Sequence, residues 1–146
     1  MDDCVFCKII RGDIPSVKVF ENDDVLAFLD LSQVTPGHTL LVPKKHVRDI
    51  FAYDDDLAQH VLTYVPKIAR GIRKAFPDSV GMNICNNNGK DAYQSVFHSH
   101  IHFVPRYGQN DDFKMIWTNN ADKYTHEQLE AIGTKIKAQF GGQNNG

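Results

Sequence analysis

Cysteine is scarce: three in 146 residues, an odd number that cannot pair off completely. A disulfide-held miniature domain is therefore excluded, and a reducing cytoplasm is the expected compartment. Charge of one sign is not in excess either. Sixteen basic against eighteen acidic side chains leave a net charge of -2, which argues against a nucleic-acid binder working through a strongly basic face. Apolar runs stay below the roughly 18 uninterrupted residues that mark a membrane span. The amino terminus reads Met1-Asp2-Asp3, and Lys8 and Arg11 break the apolar stretch behind it, unlike a secretory signal. There is no internal repeat, no low-complexity block before the tail at 141–146, and no linker long enough to divide two domains. What is present, 42% hydrophobic and 23% charged residues, is an ordinary globular composition. One domain over 1–146 is expected, burying roughly 68–70% of the surface its unfolded chain exposes.

Apolar spacing gives a coarse map. Residues 17–21 and 25–29 are β-rich runs around the turn-forming Asn22-Asp23-Asp24, which reads as a hairpin. A short strand at 39–42 lies between Thr35-Pro36-Gly37 and Pro43. From Asp54 the period changes: Leu57, Val61, Val65, Ile68, Ile72 and Ala75 recur at three- and four-residue intervals, as in a helix with one apolar stripe. Pro66 inside it predicts a kink rather than two separate helices, because the stripe continues past it, and Pro77 marks the stop. Further strands are expected at 80–85 and 98–104, joined by the polar segment 86–90. Thr125-x-x-Gln128 is a capping box ahead of Leu129, Ile132, Ile136 and Phe140, so a C-terminal helix is expected over 125–140, followed by a mobile tail at 141–146. The class is α+β: a mainly antiparallel sheet of about five strands, covered by one long kinked helix.

The most informative stretch is His98-Ser99-His100-Ile101-His102. A strand repeats every two residues, so all three imidazoles are expected on one face while Ile101 and Phe103 face the core. A solvated edge strand would also carry such a pattern, but buried imidazoles each need a partner, which makes them a poor hydrophobic face. Two functional readings remain open. Alternating histidines can ligate a catalytic zinc. Alternatively, one neutral imidazole, with a reference pKa of about 6.5, can be a nucleophile towards phosphorus while its neighbours bind phosphate oxygens. A second constellation, Cys4-Val5-Phe6-Cys7, has a spacing that lets two thiolates share one metal or form a redox disulfide. A thioredoxin-like βαβ context is missing around it, and a structural zinc completed by two distant histidines is the preferred reading. Cys85 reads as core, and His60 and His126 as helix-surface residues.

The segment at 94–106, Gln-Ser-Val-Phe-His-Ser-His-Ile-His-Phe-Val-Pro-Arg, resembles the signature of the histidine triad (HIT) family, in its zinc-containing bacterial-type branch. Phe28-Leu29-Asp30-Leu31, the run from Gly37-His38 to Lys45-His46 and the Asn87 region occur in the family's order, so the resemblance covers about residues 4–107. Ser99 departs from the usual apolar residue. The resemblance implies a HIT-like fold and a nucleotide hydrolase acting on phosphoramidates or dinucleoside polyphosphates. It makes His100 the nucleophile that attacks the α-phosphorus and His102 a catalytic neighbour holding the phosphate. It also implies substrate contacts from Phe28, Asp30, Leu31, His38, Asn87, Gln94 and Ser95, a structural zinc on Cys4, Cys7, His46 and His98, a purine nucleotide as substrate, and a homodimer. Taken alone, Asp30 and Asn87 would be turn formers, Ser95 a loop hydroxyl, and Phe28 and Leu31 plain core. No nucleic-acid or membrane partner is expected. A nucleotide-binding adaptor with incidental hydrolysis is the alternative.

Overall fold

The computed structural model describes residues 3–141, which form two compact units, one ending at Lys114 and the other beginning at Met115. The first unit is built on a five-stranded antiparallel sheet. Its strands are β1 (Lys18–Glu21), β2 (Val25–Leu29), β3 (Thr39–Pro43), β4 (Gly81–Cys85) and β5 (Ile101–Arg106), in the spatial order β1-β2-β3-β5-β4. The β1–β2 hairpin forms where expected because the Asn22 side chain accepts hydrogen bonds from Asp24 N and Val25 N, at 2.8 and 2.9 Å, and so closes the turn.

Both faces of the central strands are covered. On one face Val25, Ala27, Leu41, Ile101 and Phe103 pack with Val61, Ile68 and Ile72 of the helical layer. On the other, Leu26, Phe28, Leu40 and Val42 pack with Phe6 and Ile9. Phe6 and Ile9 belong to α1 (Val5–Arg11), a helix the sequence reading did not anticipate. It ends at Gly12, whose φ of +86° is the left-handed conformation that suits a glycine cap. Burying two such side chains stabilises the fold by roughly 1.5–3 kcal/mol each, enough to hold a helix of only seven residues.

The helical run after Asp54 consists of α2 (Asp55–Val61) and α3 (Val65–Ala75), joined by a 3-10 turn at Leu62–Tyr64. The irregularity falls just before Pro66, which sits in the first turn of α3, where a missing backbone donor costs nothing. The stripe stays in register, with Val61, Ile68 and Ile72 all facing the sheet.

One expected strand begins later than its sequence pattern. The ladder of β5 starts at Ile101 rather than 98, and runs to Arg106. Ser99 N donates to Val47 O at 2.7 Å and the His98 carbonyl accepts from the His100 ring at 2.9 Å, so this backbone is committed elsewhere before pairing begins. Only His102 of the three histidines lies in the strand.

The second unit contains α4 (His126–Lys137) and a 3-10 turn at Ala138–Phe140. Its capping box is present in both directions: Gln128 N donates to Thr125 Oγ1, and Thr125 N to Gln128 Oε1. Of the tail expected to be mobile, residues 142–146 lie outside the described residues. Among the described residues no helix is long and apolar enough to cross a membrane.

Candidate active site and metal centre

The histidines are distinguished by their partners. His98 is fully buried, and its Nε2 lies 2.8 Å from Pro43 O, so that nitrogen carries the proton and Nδ1 keeps a lone pair. His100 is reversed. Its Nδ1 lies 2.9 Å from His98 O, which places the proton there and leaves the lone pair on Nε2. His102 is fixed at second hand. Val34 N donates to His38 Nδ1 at 3.4 Å, so His38 is protonated on Nε2, which faces His102 Nδ1 at 3.0 Å; His102 accepts there and bears its proton on Nε2. These tautomers follow from the hydrogen-bond network. The result is a lone pair on one ring beside an N–H on the next, their centroids 5.0 Å apart.

Burial keeps the cluster neutral. It lowers His100 and His38 below the ordinary histidine range and brings His98 and His102 down to about 4, with neighbouring imidazoles adding to the effect on His98 and His102. Asp30 behaves oppositely. Burial would raise it, but hydrogen bonds from Ser32 Oγ and N, at 2.6 and 2.8 Å, outweigh burial and hold the carboxyl below its usual range.

The other end of the histidine run meets α1. Cys4 Sγ lies 3.4 Å from His98 Nδ1, and Cys7 Sγ lies 3.4 Å from His46 Nδ1 and 3.5 Å from His98 Nδ1. All four ligand atoms fall within 4.8 Å of one another, so these residues could hold a metal ion. Cys4 also caps α1, accepting from Cys7 N at 3.2 Å. In the absence of a cation, burial first and then the Cys4 hydrogen bond and charge push Cys7 up to about 11; a bound cation reverses that preference. The three triad histidines do not share such a centre, because His98 turns to the cysteines while His100 Nδ1 is engaged by a carbonyl.

Phe6 connects the two ends. Its ring stands edge-on to His98, His100 and Phe28, with centroids at 5.9, 5.0 and 5.5 Å. Beside it opens a cleft of about 300 Å³, lined by Phe6, Phe28, Asp30, Leu31, Leu40, Ser95, Val96, His100 and His102 among others. Apolar walls, one ionised carboxylate and two imidazoles suit a ligand with a flat apolar part and a polar, hydroxylated part.

The HIT domain model matches residues 11–109. The chain belongs to the HIT family. Among solved structures, a HIT family protein from Bacillus subtilis is 52% identical, with a TM-score of 0.90 over 93% of this chain and 96% of that one. A zinc-bound histidine triad family protein from Mycobacterium smegmatis is 31% identical, with a TM-score of 0.71 over 94% and 98%. Among curated relatives, adenosine 5'-monophosphoramidase hnt1 of Schizosaccharomyces pombe is 33% identical over 94% of this chain and 98% of its own.

In this HIT protein the residues singled out from sequence fall into three places. Phe28, Asp30, Leu31, Ser95, His100 and His102 line the cleft, with Leu31 at its rim, 92% exposed. His38 stands behind His102, buried, and does not line it. Asn87 and Gln94 belong to the loop that carries Ser95. Asn87 Nδ2 donates to Tyr93 O at 3.5 Å. The buried Gln94 amide is fully used: Oε1 accepts from Gly89 N at 2.8 Å, and Nε2 donates to Arg48 O and Val96 O at 2.7 and 3.0 Å. Sequence reasoning missed Phe6 as a cleft residue, although its place between two cysteines was a signal. It also missed Ser32, Val34 and Pro43, of which Val34 and Pro43 act through backbone groups and so leave no trace in residue type.

Proposed function

We propose that this protein is a nucleotide hydrolase that cleaves the α-phosphate linkage of nucleoside phosphoramidates or dinucleoside polyphosphates through a covalent nucleotidyl-histidine. The observation that carries the reading is the neutral His100 ring lining the cleft with its lone pair on Nε2, next to a His102 ring protonated on its own Nε2. His100 Nε2 attacks the α-phosphorus, and the bond from phosphorus to the leaving nitrogen or oxygen breaks. The leaving group departs with the electron pair and takes up a proton from solvent. Water then attacks the same phosphorus from the opposite side and gives a proton back to solvent, the P–N bond to His100 breaks with its electron pair returning to Nε2, and a nucleoside monophosphate is released. Splitting one displacement into two allows each nucleophile to act in line. His102 Nε2–H donates to the phosphoryl or bridging atom, where charge develops in the transition state.

Asp30 accepts from the ribose hydroxyls, Phe28 and Leu31 form the wall for a purine base, and Ser95 reaches the phosphate. His38, Asn87 and Gln94 support them: His38 by fixing His102, the other two by holding the Ser95 loop. Membership of the HIT family and a relative named as an adenosine 5'-monophosphoramidase support the reaction class.

The metal is zinc, held structurally by Cys4, Cys7, His46 and His98. Two thiols and two imidazole nitrogens, with sulfur–nitrogen spacings of 3.4–3.5 Å and all four donors within 4.8 Å of one another, are the donor set that would suit zinc, which would supply a structural cross-link there. Four protein ligands leave no position for a reactive water, and Pro43 O accepting from His98 Nε2 is the outer partner such a ligand requires. The protein acts as a cytoplasmic homodimer in which two five-stranded sheets join edge to edge into one of ten.

The test is turnover of adenosine phosphoramidate and diadenosine tetraphosphate, with rapid acid quench and mass analysis of the protein. The expected result is AMP release, a trapped adenylyl group on His100, and loss of turnover in His100→Ala with nucleotide binding retained. Most of the activity surviving in that variant overturns the covalent mechanism. Affinity for nucleotide without AMP release describes an adaptor instead.

A further inference from the structure

A cleft also opens on the face of the sheet opposite the histidines. It has a volume of about 340 Å³, lies between α3 and the strands β1 to β3, and is lined wholly by the first unit, from Val19 to Phe76. Alternation along β3 separates the two faces: Thr39 borders this cleft, whereas Leu40 borders the one lined by His100 and His102. The walls are apolar, with Phe20, Ile68, Ile72 and Phe76 among them. Thr39 Oγ1 already donates to Gly37 O at 2.8 Å. Among the described residues Lys67 is the one charged side chain of the lining. Its Nζ stands over the Phe20 ring, 5.1 Å from the centroid, and no carboxylate of the described residues pairs with it. Gly71 is the residue that packing does not require. It sits inside α3, where glycine is less favourable than alanine, and a Cβ added there meets nothing within 4 Å. Neither a left-handed backbone nor a close neighbour demands it. The missing side chain leaves the cleft open between Lys67 and Ala75, which lie one turn before and one turn after it.

We propose that this cleft is a second ligand site, for a small amphiphilic anion of the medium-chain carboxylate class. The chain lies over Gly71 against Ile68, Ile72 and Phe76, and the carboxylate meets Lys67 Nζ at the mouth. Size and charge select this occupant. Ligand cavities run from roughly 300 to 1,000 Å³, so a cleft of about 340 Å³ takes one short chain and not a two-chain lipid. A lining with one ammonium and no acid attracts an anion and repels a cation, while the apolar walls reward a ligand whose charge is confined to one end. Because the sheet lies between this cleft and the histidines, the ligand and a nucleotide occupy their sites together.

The probe is sodium decanoate, kept below its micellar concentration and titrated calorimetrically into the full chain. A single saturable site is expected, from which AMP does not displace the decanoate. Gly71→Leu fills the space over α3 with a better helix former; it weakens uptake by about tenfold or more and keeps the thermal midpoint at or above that of the wild type. Lys67→Gln weakens decanoate roughly two- to fivefold, as loss of an exposed ion pair does, and leaves the binding of 1-decanol unchanged. No uptake by the wild type overturns the proposal. So does wild-type affinity for decanoate in both variants, or displacement by AMP, which puts the chain in the nucleotide cleft. If Gly71→Leu does not fold, Lys67→Gln decides alone: equal losses for decanoate and decanol, or no loss for either, overturn the ionic contact that defines the ligand.

Discussion

What separates three adjacent histidines chemically is the atom each ring nitrogen faces. The same side chain is left with a free Nδ1 facing the cysteines at His98, a lone pair on Nε2 at His100 and an N–H on Nε2 at His102, because a proline carbonyl, a histidine carbonyl and the His38 ring fix three tautomers. His38 is the furthest from the cleft and the easiest to test. In His38→Ala, His102 Nδ1 loses its donor and the ring is free to carry its proton on either nitrogen. Turnover is expected to fall by roughly 10–100-fold, with a smaller change in KM. His38→Gln, which can offer an amide N–H, recovers part of it; an alanine variant with wild-type kcat shows that His38 does not fix His102 for turnover. The residue before it, Gly37, has a φ of +97°, and a Cβ there would lie 3.0 Å from the Phe76 ring and 3.1 Å from Pro105 Cγ. Gly37→Ala is therefore expected to destabilise the protein by about 1–3 kcal/mol, measured by urea denaturation, and an unchanged midpoint would show that the loop relaxes.

Among the elements, α1 connects the candidate metal ligands to the cleft. Cys4 caps it, Cys7 sits inside it, and Phe6 between them stands against His100. Removing the metal with a chelator is expected to raise amide exchange across Val5–Arg11 and to reduce turnover several-fold through the lost support of Phe6. Cys4→Ser should do the same. Complete loss of activity with exchange unchanged would instead place the metal in the chemistry. This helix also marks the limit of what the sequence discloses. The strands around Asn22, the stripe from Leu57 to Ile72 and the capping box at Thr125 were legible because period and turn chemistry agree with the final packing. A seven-residue helix, by contrast, leaves hardly two turns of periodicity, and its Phe6–Ile9 spacing was hidden within a pattern that reads first as metal chemistry. The alternation at 98–102 brings His100 and His102 together on the cleft but not His98, which turns to the cysteines. It could not show that the ladder begins at Ile101, since that depends on a bond from Ser99 N to Val47 O, and backbone partners are not written in residue type.

At the level of the whole molecule, stability and the candidate site depend on the same buried rings. His102 is held down to about 4 by burial first and then by the neighbouring His100 and His38 imidazoles, beside which a further positive charge is disfavoured, and burial also lowers His38. In the unfolded chain these groups return to about 6.5. The sign follows directly. Because the folded pKa lies below the unfolded one, the unfolded chain binds the extra protons. Stability is therefore complete above about pH 6.5 and is lost as pH falls from there towards about 4. Asp111, held below the ordinary carboxyl range by the Arg106 side chain, loses its contribution only at lower pH, when its carboxyl would protonate in the unfolded chain, so the two effects occupy different windows. Denaturant midpoints measured at pH 7.5, 6 and 5 should decline across the histidine window. His102→Phe, which preserves a ring and removes the titration, should flatten that decline even if its stability at pH 7.5 differs. If the slopes of the two proteins coincide, His102 is not among the groups whose protonation opens the fold.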